Sequence, residues 1–195
     1  MKITGVTVMA AMVGTAVWAG ALPAAEPQVT VCMGYTGNLG LENQAKVVTS
    51  GIFAGIGVKI LWHDTRQCPA EAIVITFSND EPASLFPGAL AYAMPFEGTH
   101  IVVFYDRVKN RPVSVVPSVL GHVIAHEVTH IVQGFARHSE SGIMKATWTG
   151  ADYQEMTWEP LQFTDKDVML IYSGLKLRET SRRSGGGGRA SVARW

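Results

Sequence analysis

The segment that most constrains this chain is residues 126–138, which read HEVTHIVQGFARH. His126 and His130 are four residues apart, so on a helix their rings share one face and can reach a single metal ion. Glu127 follows the first histidine, where its carboxylate can act as a base toward a water molecule at that ion. The spacing therefore predicts a helix that carries two metal ligands, His126 and His130, and a catalytic carboxylate, Glu127.

The residues after this motif suggest a third ligand. A continuous helix would carry His138 about 12 Å from His130 along the helix axis, too far to share an ion. Gly134 lies between them, and glycine commonly ends a helix in the left-handed conformation. If Gly134 reverses the chain, His138 returns as the third ligand and a fourth position stays open for water. Glu155 and Glu159 are the alternatives for the third ligand.

The pattern resembles the metzincin clan of zinc metallopeptidases, which carry H-E-x-x-H-x-x-G-x-x-H followed by a Met-turn. Here one extra residue precedes the glycine and one follows it, and residues 141–144 read SGIM. The resemblance implies one catalytic zinc ion held by the three histidines, with Met144 beneath it. It also implies peptide-bond hydrolysis with Glu127 as the general base. His122, one turn before His126, is interpreted as a core or supporting histidine rather than a ligand.

Hydrophobic periodicity predicts an α/β (α+β) chain. Strands are expected at residues 28–33, 58–62, 72–78, 89–94 and 101–106, and helices at 41–55, 114–134 and 165–177. This order resembles the metzincin catalytic domain, which implies a twisted mixed sheet with an antiparallel edge strand, an active-site helix and a C-terminal helix. In that family the edge strand, here residues 89–94, binds the peptide substrate through main-chain hydrogen bonds.

The chain is expected to contain one folded domain between two terminal segments. Residues 1–25 are typical of a secretory signal peptide, with Lys2, an apolar run over residues 6–17 and an Ala-Gly-Ala cleavage site at residues 19–21. Cleavage after residue 24 or 25 is the alternative. Residues 26–180 form the predicted catalytic domain, and residues 181–195 form a basic, Gly/Ser-rich tail too poor in apolar residues to fold. We therefore expect a secreted or periplasmic protein with no stable membrane association after signal removal.

Cys32 and Cys68 are the two cysteines of the chain. In an exported protein, two cysteines predict one disulfide.

The charge distribution limits the classes of partner. Residues 26–180 contain 16 acidic and 11 basic side chains, so no basic face is expected for nucleic acid. A peptide or protein substrate and a monomeric state are expected instead. Two alternatives are a secreted binding or structural module with a vestigial zinc site and a zinc hydrolase of a non-peptide amide. Glu127 favours a catalyst, because binding zinc alone does not require that carboxylate.

Overall fold

The computed structural model describes residues 26–79, 88–112 and 114–185. The predicted signal peptide, residues 1–25, and residues 186–195 of the predicted tail lie outside this part of the chain. The strands are β1 (Gln28–Met33), β2 (Lys59–Asp64), β3 (Ile73–Ser78), β4 (Ala91–Ala93) and β5 (His100–Phe104). The helices are α1 (Leu39–Ala54), α2 (Tyr105–Lys109), α3 (Val116–Gln133), α4 (Gly150–Glu155) and α5 (Asp165–Gly185). Within the described ranges, no helix is long and apolar enough to cross a lipid bilayer.

The five described strands form one mixed sheet in the order β2-β1-β3-β5-β4. Strands β1, β2, β3 and β5 are parallel, and β4 is an antiparallel edge strand beside β5. The Leu90 carbonyl accepts from the Phe104 amide at 2.8 Å, and the Met94 amide donates to the His100 carbonyl at 3.0 Å. Backbone groups alternate in direction along an antiparallel ladder, so those of Ala91 and Ala93 point away from the sheet. The predicted mixed sheet with an antiparallel edge is confirmed.

Helix α3 is the centre of the molecule, because every residue from 119 to 133 is buried. It packs against α1, α5 and the strands β4 and β5. Two glycines permit close packing of the helices. A Cβ on Gly121 would lie 2.6 Å from side-chain carbons of Val48 in α1, and a Cβ on Gly174 of α5 would lie 1.9 Å from the Val132 carbonyl oxygen. A helix buried on all sides must find internal partners for its polar side chains.

Several predicted element boundaries were wrong, and two short helices were not predicted. Strand β5 ends at Phe104, and residues 105 and 106, predicted as strand, begin the short helix α2. Helix α2 has Asp106 in its first turn and basic residues in its last turn, which complements the helix dipole. Helix α4 was not predicted. Helix α5 continues beyond residue 177 to Gly185, so residues 181–185 of the predicted tail extend a helix.

The predicted disulfide is confirmed. Cys32 and Cys68 are bonded, with their Cα atoms 5.8 Å apart. The bond joins the fully buried Cys32, near the carboxyl end of β1, to the segment that follows a 3-10 helix at Thr65–Gln67. It therefore attaches the loop after β2 to the core of the sheet.

Candidate metal centre

Helix α3 ends at Gly134, as predicted from the sequence. Gly134 adopts the left-handed conformation with φ 79° and ψ 14°, and its amide donates to the His130 carbonyl. The extra residue before this glycine lengthens the helix to Gln133 and does not prevent the reversal. After the reversal, ligand nitrogens of His126, His130 and His138 all lie within 4.8 Å of one another. The predicted return of His138 toward the helix is therefore observed.

The ring orientations of the two helical histidines leave their lone pairs facing each other. Nδ1 of His126 lies 2.8 Å from the Ile143 carbonyl oxygen, and Nδ1 of His130 lies 3.3 Å from the Phe135 carbonyl oxygen. A carbonyl only accepts, so in neutral rings both Nδ1 atoms carry the proton and donate. Both Nε2 atoms are then acceptors, yet they are 3.0 Å apart. With the tautomers assigned from these two carbonyl contacts, neither Nε2 has a proton to offer, and the contact between them is then not a hydrogen bond.

Two facing lone pairs suit a cation between them. Tetrahedral zinc, with Zn–N bonds of about 2.0–2.1 Å, separates two ligand nitrogens by about 3.3 Å, close to the observed Nε2 separation of 3.0 Å. Carbonyl partners on the opposite ring nitrogens also orient metal-binding histidines in known sites. The donor set present here therefore fits a zinc ion.

Burial keeps the His126 and His130 rings neutral. Burial, reinforced by the nearby His130, lowers the pKa of His126 to about 3. Burial and the nearby His138 lower the pKa of His130 to about 4. The pKa of His138 is also lowered, by partial burial and by Arg137. Neutral imidazole is the form that binds metal, so at neutral pH no proton must leave these rings first.

The competing third ligands are located elsewhere. Glu155 and Glu159 are exposed and do not belong to the cluster of described side chains that could hold a metal ion, which comprises the three histidines. His122 is also outside this cluster. Its Nδ1 donates to the Ser118 carbonyl at 2.7 Å, and its Nε2 accepts from the Leu161 amide at 3.0 Å. Both of its nitrogens are therefore used in structural hydrogen bonds, in agreement with its interpretation as a supporting histidine.

Glu127 connects the central helix to the edge strand. Its side chain is buried. Burial raises the pKa of Glu127 to about 8, although a hydrogen bond from the Ala93 backbone lowers it. Ala93 belongs to β4, and its amide points away from β5 toward this carboxyl group. The carboxyl therefore lies beside the outer edge of β4, the last strand of the described sheet.

The turn at residues 141–144 supports the histidines through its backbone. Gly142 has φ 71°, and a Cβ there would lie 2.2 Å from the Gln162 carbonyl oxygen, so only glycine fits this position. The next residue, Ile143, provides the carbonyl that accepts from His126. Met144 is fully buried. Its place beneath a metal ion stays a prediction.

Three residues beside the histidine cluster were not predicted from the sequence to support it. Trp148 donates to the Ile143 carbonyl at 3.2 Å, and its ring meets the His126 ring edge-on with centroids 5.7 Å apart. Tyr153 packs edge-on against Trp148, and the Arg111 guanidinium lies 4.2 Å from the Tyr153 ring centroid. Their sequence positions carry no signal, because no spacing rule connects them to the helix motif.

Comparison with known proteins shows the fold. No family model and no curated protein sequence matches the chain. The archaemetzincin from Methanopyrus kandleri is structurally similar, with 13% identity, a TM-score of 0.55, and coverage of 80% of this chain and 98% of that chain. The archaemetzincin from Archaeoglobus fulgidus, complexed with malonate, has 12% identity, a TM-score of 0.50, and coverage of 74% and 99%. The chain therefore has the mixed α/β fold of these archaemetzincins, with a five-stranded, mostly parallel sheet in its described part.

Proposed function

We propose that this protein is a zinc-dependent metallopeptidase with one catalytic ion held by His126, His130 and His138. The observation that carries the proposal is the pair of Nε2 lone pairs that face each other at 3.0 Å inside the histidine cluster. Two buried acceptors at this distance repel each other unless a cation lies between them. The similarity to archaemetzincin structures supports the same assignment.

Zinc, when bound, supplies Lewis acidity that activates water and polarises a carbonyl group. Glu127 then acts as the general base: its carboxylate accepts a proton from the attacking water and passes it to the leaving amine. A nearby divalent cation favours the ionised carboxylate and counteracts the raised pKa of the metal-free state. The bond from the Ala93 backbone holds the carboxyl group in place.

The edge strand β4 is the proposed binding site for the substrate backbone. The outward groups of Ala91 and the outward carbonyl of Ala93 would pair with an extended peptide, as an added strand. Because Ala93 also contacts Glu127, a peptide on this edge would pass beside the general base. The substrate would therefore be a peptide or protein in extended conformation.

We extend the proposal to the location of the protein. The disulfide between Cys32 and Cys68 supports export, since disulfides persist in oxidising compartments. We propose that residues 1–25 are removed as a signal peptide, and that the domain acts as a secreted or periplasmic monomer.

A peptide-library digest tests the activity. The disulfide-bonded protein, supplied with zinc, is incubated with an unbiased peptide mixture and the products are identified by mass spectrometry. We expect cleavage by the parent and none by Glu127→Ala. Glu155→Ala is the matched control, because it removes an exposed glutamate outside the histidine cluster.

Metal analysis separates the alternatives. A parent that binds one zinc ion but cleaves no peptide would contradict the peptidase assignment and favour a binding module or a hydrolase of a non-peptide amide. Equal cleavage by the parent and Glu127→Ala would contradict the role of Glu127. Loss of zinc in His138→Ala but not in Glu155→Ala would support His138 as the third ligand.

A further inference from the structure

The three histidines are not held in place by the same means. His126 and His130 each have a ring nitrogen bonded to a backbone carbonyl, of Ile143 and Phe135 respectively. The His138 ring has no hydrogen-bond partner among the described residues, and the residue is exposed. A metal ligand normally needs an orienting partner for its ring. The His138 ring contacts the rings of His126 and His130, so the residues on either side of His138 are the remaining groups that can fix its position.

Both neighbours of His138 bind the same carboxylate. Oδ1 of Asp167 accepts from Nη1 of Arg137 at 2.8 Å and from the Ser139 hydroxyl at 2.7 Å. Asp167 belongs to the first turn of α5 and is fully buried. Its second oxygen, Oδ2, accepts from the amide of Thr164 at 3.1 Å and from its hydroxyl at 2.6 Å. One carboxylate therefore caps helix α5 and holds the residues on both sides of His138.

The ionised form of Asp167 is favoured. Burial alone would raise the pKa of Asp167, but hydrogen bonds from Thr164, Ser139 and Arg137 outweigh it and lower the pKa. The contacts on Oδ1 are thus charge-assisted, and such bonds are shorter and stronger than neutral ones. Ser139 is also fixed by its backbone, since its amide donates to the Met144 carbonyl at 2.7 Å.

We propose that Asp167 is a positioning residue for the metal centre, which fixes the third ligand His138 by holding Arg137 and Ser139. This inference rests on the proposed zinc site. Helix α5 contributes no ligand to this site, but its residue Asp167 would help to hold His138 in the position that binds the ion.

The chain contains a matched control for this arrangement. Asp152 forms the same Thr-x-x-Asp capping box at the start of α4, with bonds from the Thr149 amide and hydroxyl at 2.6 and 2.7 Å. It also pairs with a basic side chain, Lys145, at 2.6 Å. Neither Thr149 nor Lys145 is adjacent to a histidine. Asp152→Asn therefore removes a capping carboxylate and an ion pair but keeps the carboxylate of Asp167 that accepts from Arg137 and Ser139.

Zinc affinity of the disulfide-bonded protein, measured by competition with a chromophoric chelator, tests the proposal. We expect Asp167→Asn to weaken zinc binding about 10–100-fold, the usual effect of removing a residue that supports a ligand. Asp152→Asn should bind zinc as the parent does. In a His138→Ala background, Asp167→Asn should cause no further loss, because its effect passes through His138.

A second variant protects the test against misfolding. Arg137→Met combined with Ser139→Ala leaves the Thr164–Asp167 cap intact and removes both contacts on the flanks of His138. We expect the same loss of zinc affinity, together with a changed visible absorption spectrum of the cobalt-substituted protein. Circular dichroism before metal addition verifies that each variant is folded.

The outcomes distinguish this inference from the proposed function. A parent that binds no zinc would overturn both. The positioning role alone would be overturned if folded Asp167→Asn bound zinc as tightly as the parent. It would also be overturned if Asp167→Asn reduced zinc affinity equally in the presence and absence of His138. Loss of affinity in Asp167→Asn that disappears in the His138→Ala background would support it.

Discussion

Glu127→Gln should change the pH dependence of stability in the metal-free protein. Burial raises the pKa of Glu127 to about 8 from an ordinary value of 4.5. A carboxyl group with a higher pKa in the folded state binds its proton more tightly there. Its contribution to stability is therefore complete below pH 4.5 and is lost as the pH rises through 8. At about 1.4 kcal/mol per pH unit, the loss amounts to about 5 kcal/mol.

Urea denaturation of the metal-free parent and variant at several pH values measures this effect. Glutamine cannot ionise, so between pH 5 and pH 9 the free energy of unfolding of Glu127→Gln should gain about 4 kcal/mol relative to the parent. His126 and His130 titrate in both proteins, so their contributions cancel in the difference. Glu155→Gln, which removes an exposed carboxyl group, controls for the loss of one negative charge.

A difference between parent and Glu127→Gln that is the same at pH 5 and pH 9 would refute the reasoning. It would mean that the folded protein solvates the ionised carboxyl group as well as water does. Adding zinc provides a second comparison. A bound divalent cation favours the ionised form, so zinc should reduce the pH dependence of this difference.

Three further predictions concern the frame around the site, each measured by chemical denaturation. Gly174→Ala should destabilise the fold by about 1–3 kcal/mol or more, because its Cβ would meet the Val132 carbonyl oxygen at 1.9 Å. The control Gly51→Ala, in an open position of α1, should stabilise the fold by about 0.5–1 kcal/mol. Equal effects of the two variants would contradict the close packing of α5 on α3. The buried side-chain amide of Gln133 has no hydrogen-bond partner among the described residues, so Gln133→Met should stabilise the fold by about 1–3 kcal/mol. A destabilised variant would indicate that the amide has hydrogen-bond partners in the folded protein. Reducing the disulfide, which spans 36 residues, should cost about 4 kcal/mol by loop entropy, and no change would contradict that estimate.

Local patterns in the sequence were enough to predict most of the secondary structure and the centre of the site. The i, i+4 spacing of His126 and His130 depends only on helix geometry, and the left-handed turn at Gly134 depends only on the absence of a side chain. The apolar strands and the order in which they occur along the chain also follow from short-range patterns. Two cysteines in a chain expected to be exported predicted the disulfide, which the structure confirms.

The element boundaries that were wrong depend on weaker local signals. Residues 105 and 106 continue an apolar run and predict strand, yet the chain leaves the sheet at Phe104 and forms α2. Helix α5 extends past residue 177 through polar residues. Its last turns are supported by an i, i+4 pair between Glu179 and Arg183, which a search for apolar periodicity does not detect.

The supporting groups of the candidate metal centre were decided by tertiary structure alone. The Ile143 carbonyl that orients His126, the Ala93 amide beside Glu127, and the Asp167 carboxylate that holds the flanks of His138 all come from distant parts of the chain. Backbone amides and carbonyls are present at every position, so a sequence does not reveal which of them point at a site. The local sequence determines which side chains can bind a metal ion, whereas packing of α3 against the edge strand and α5 determines how firmly they are held.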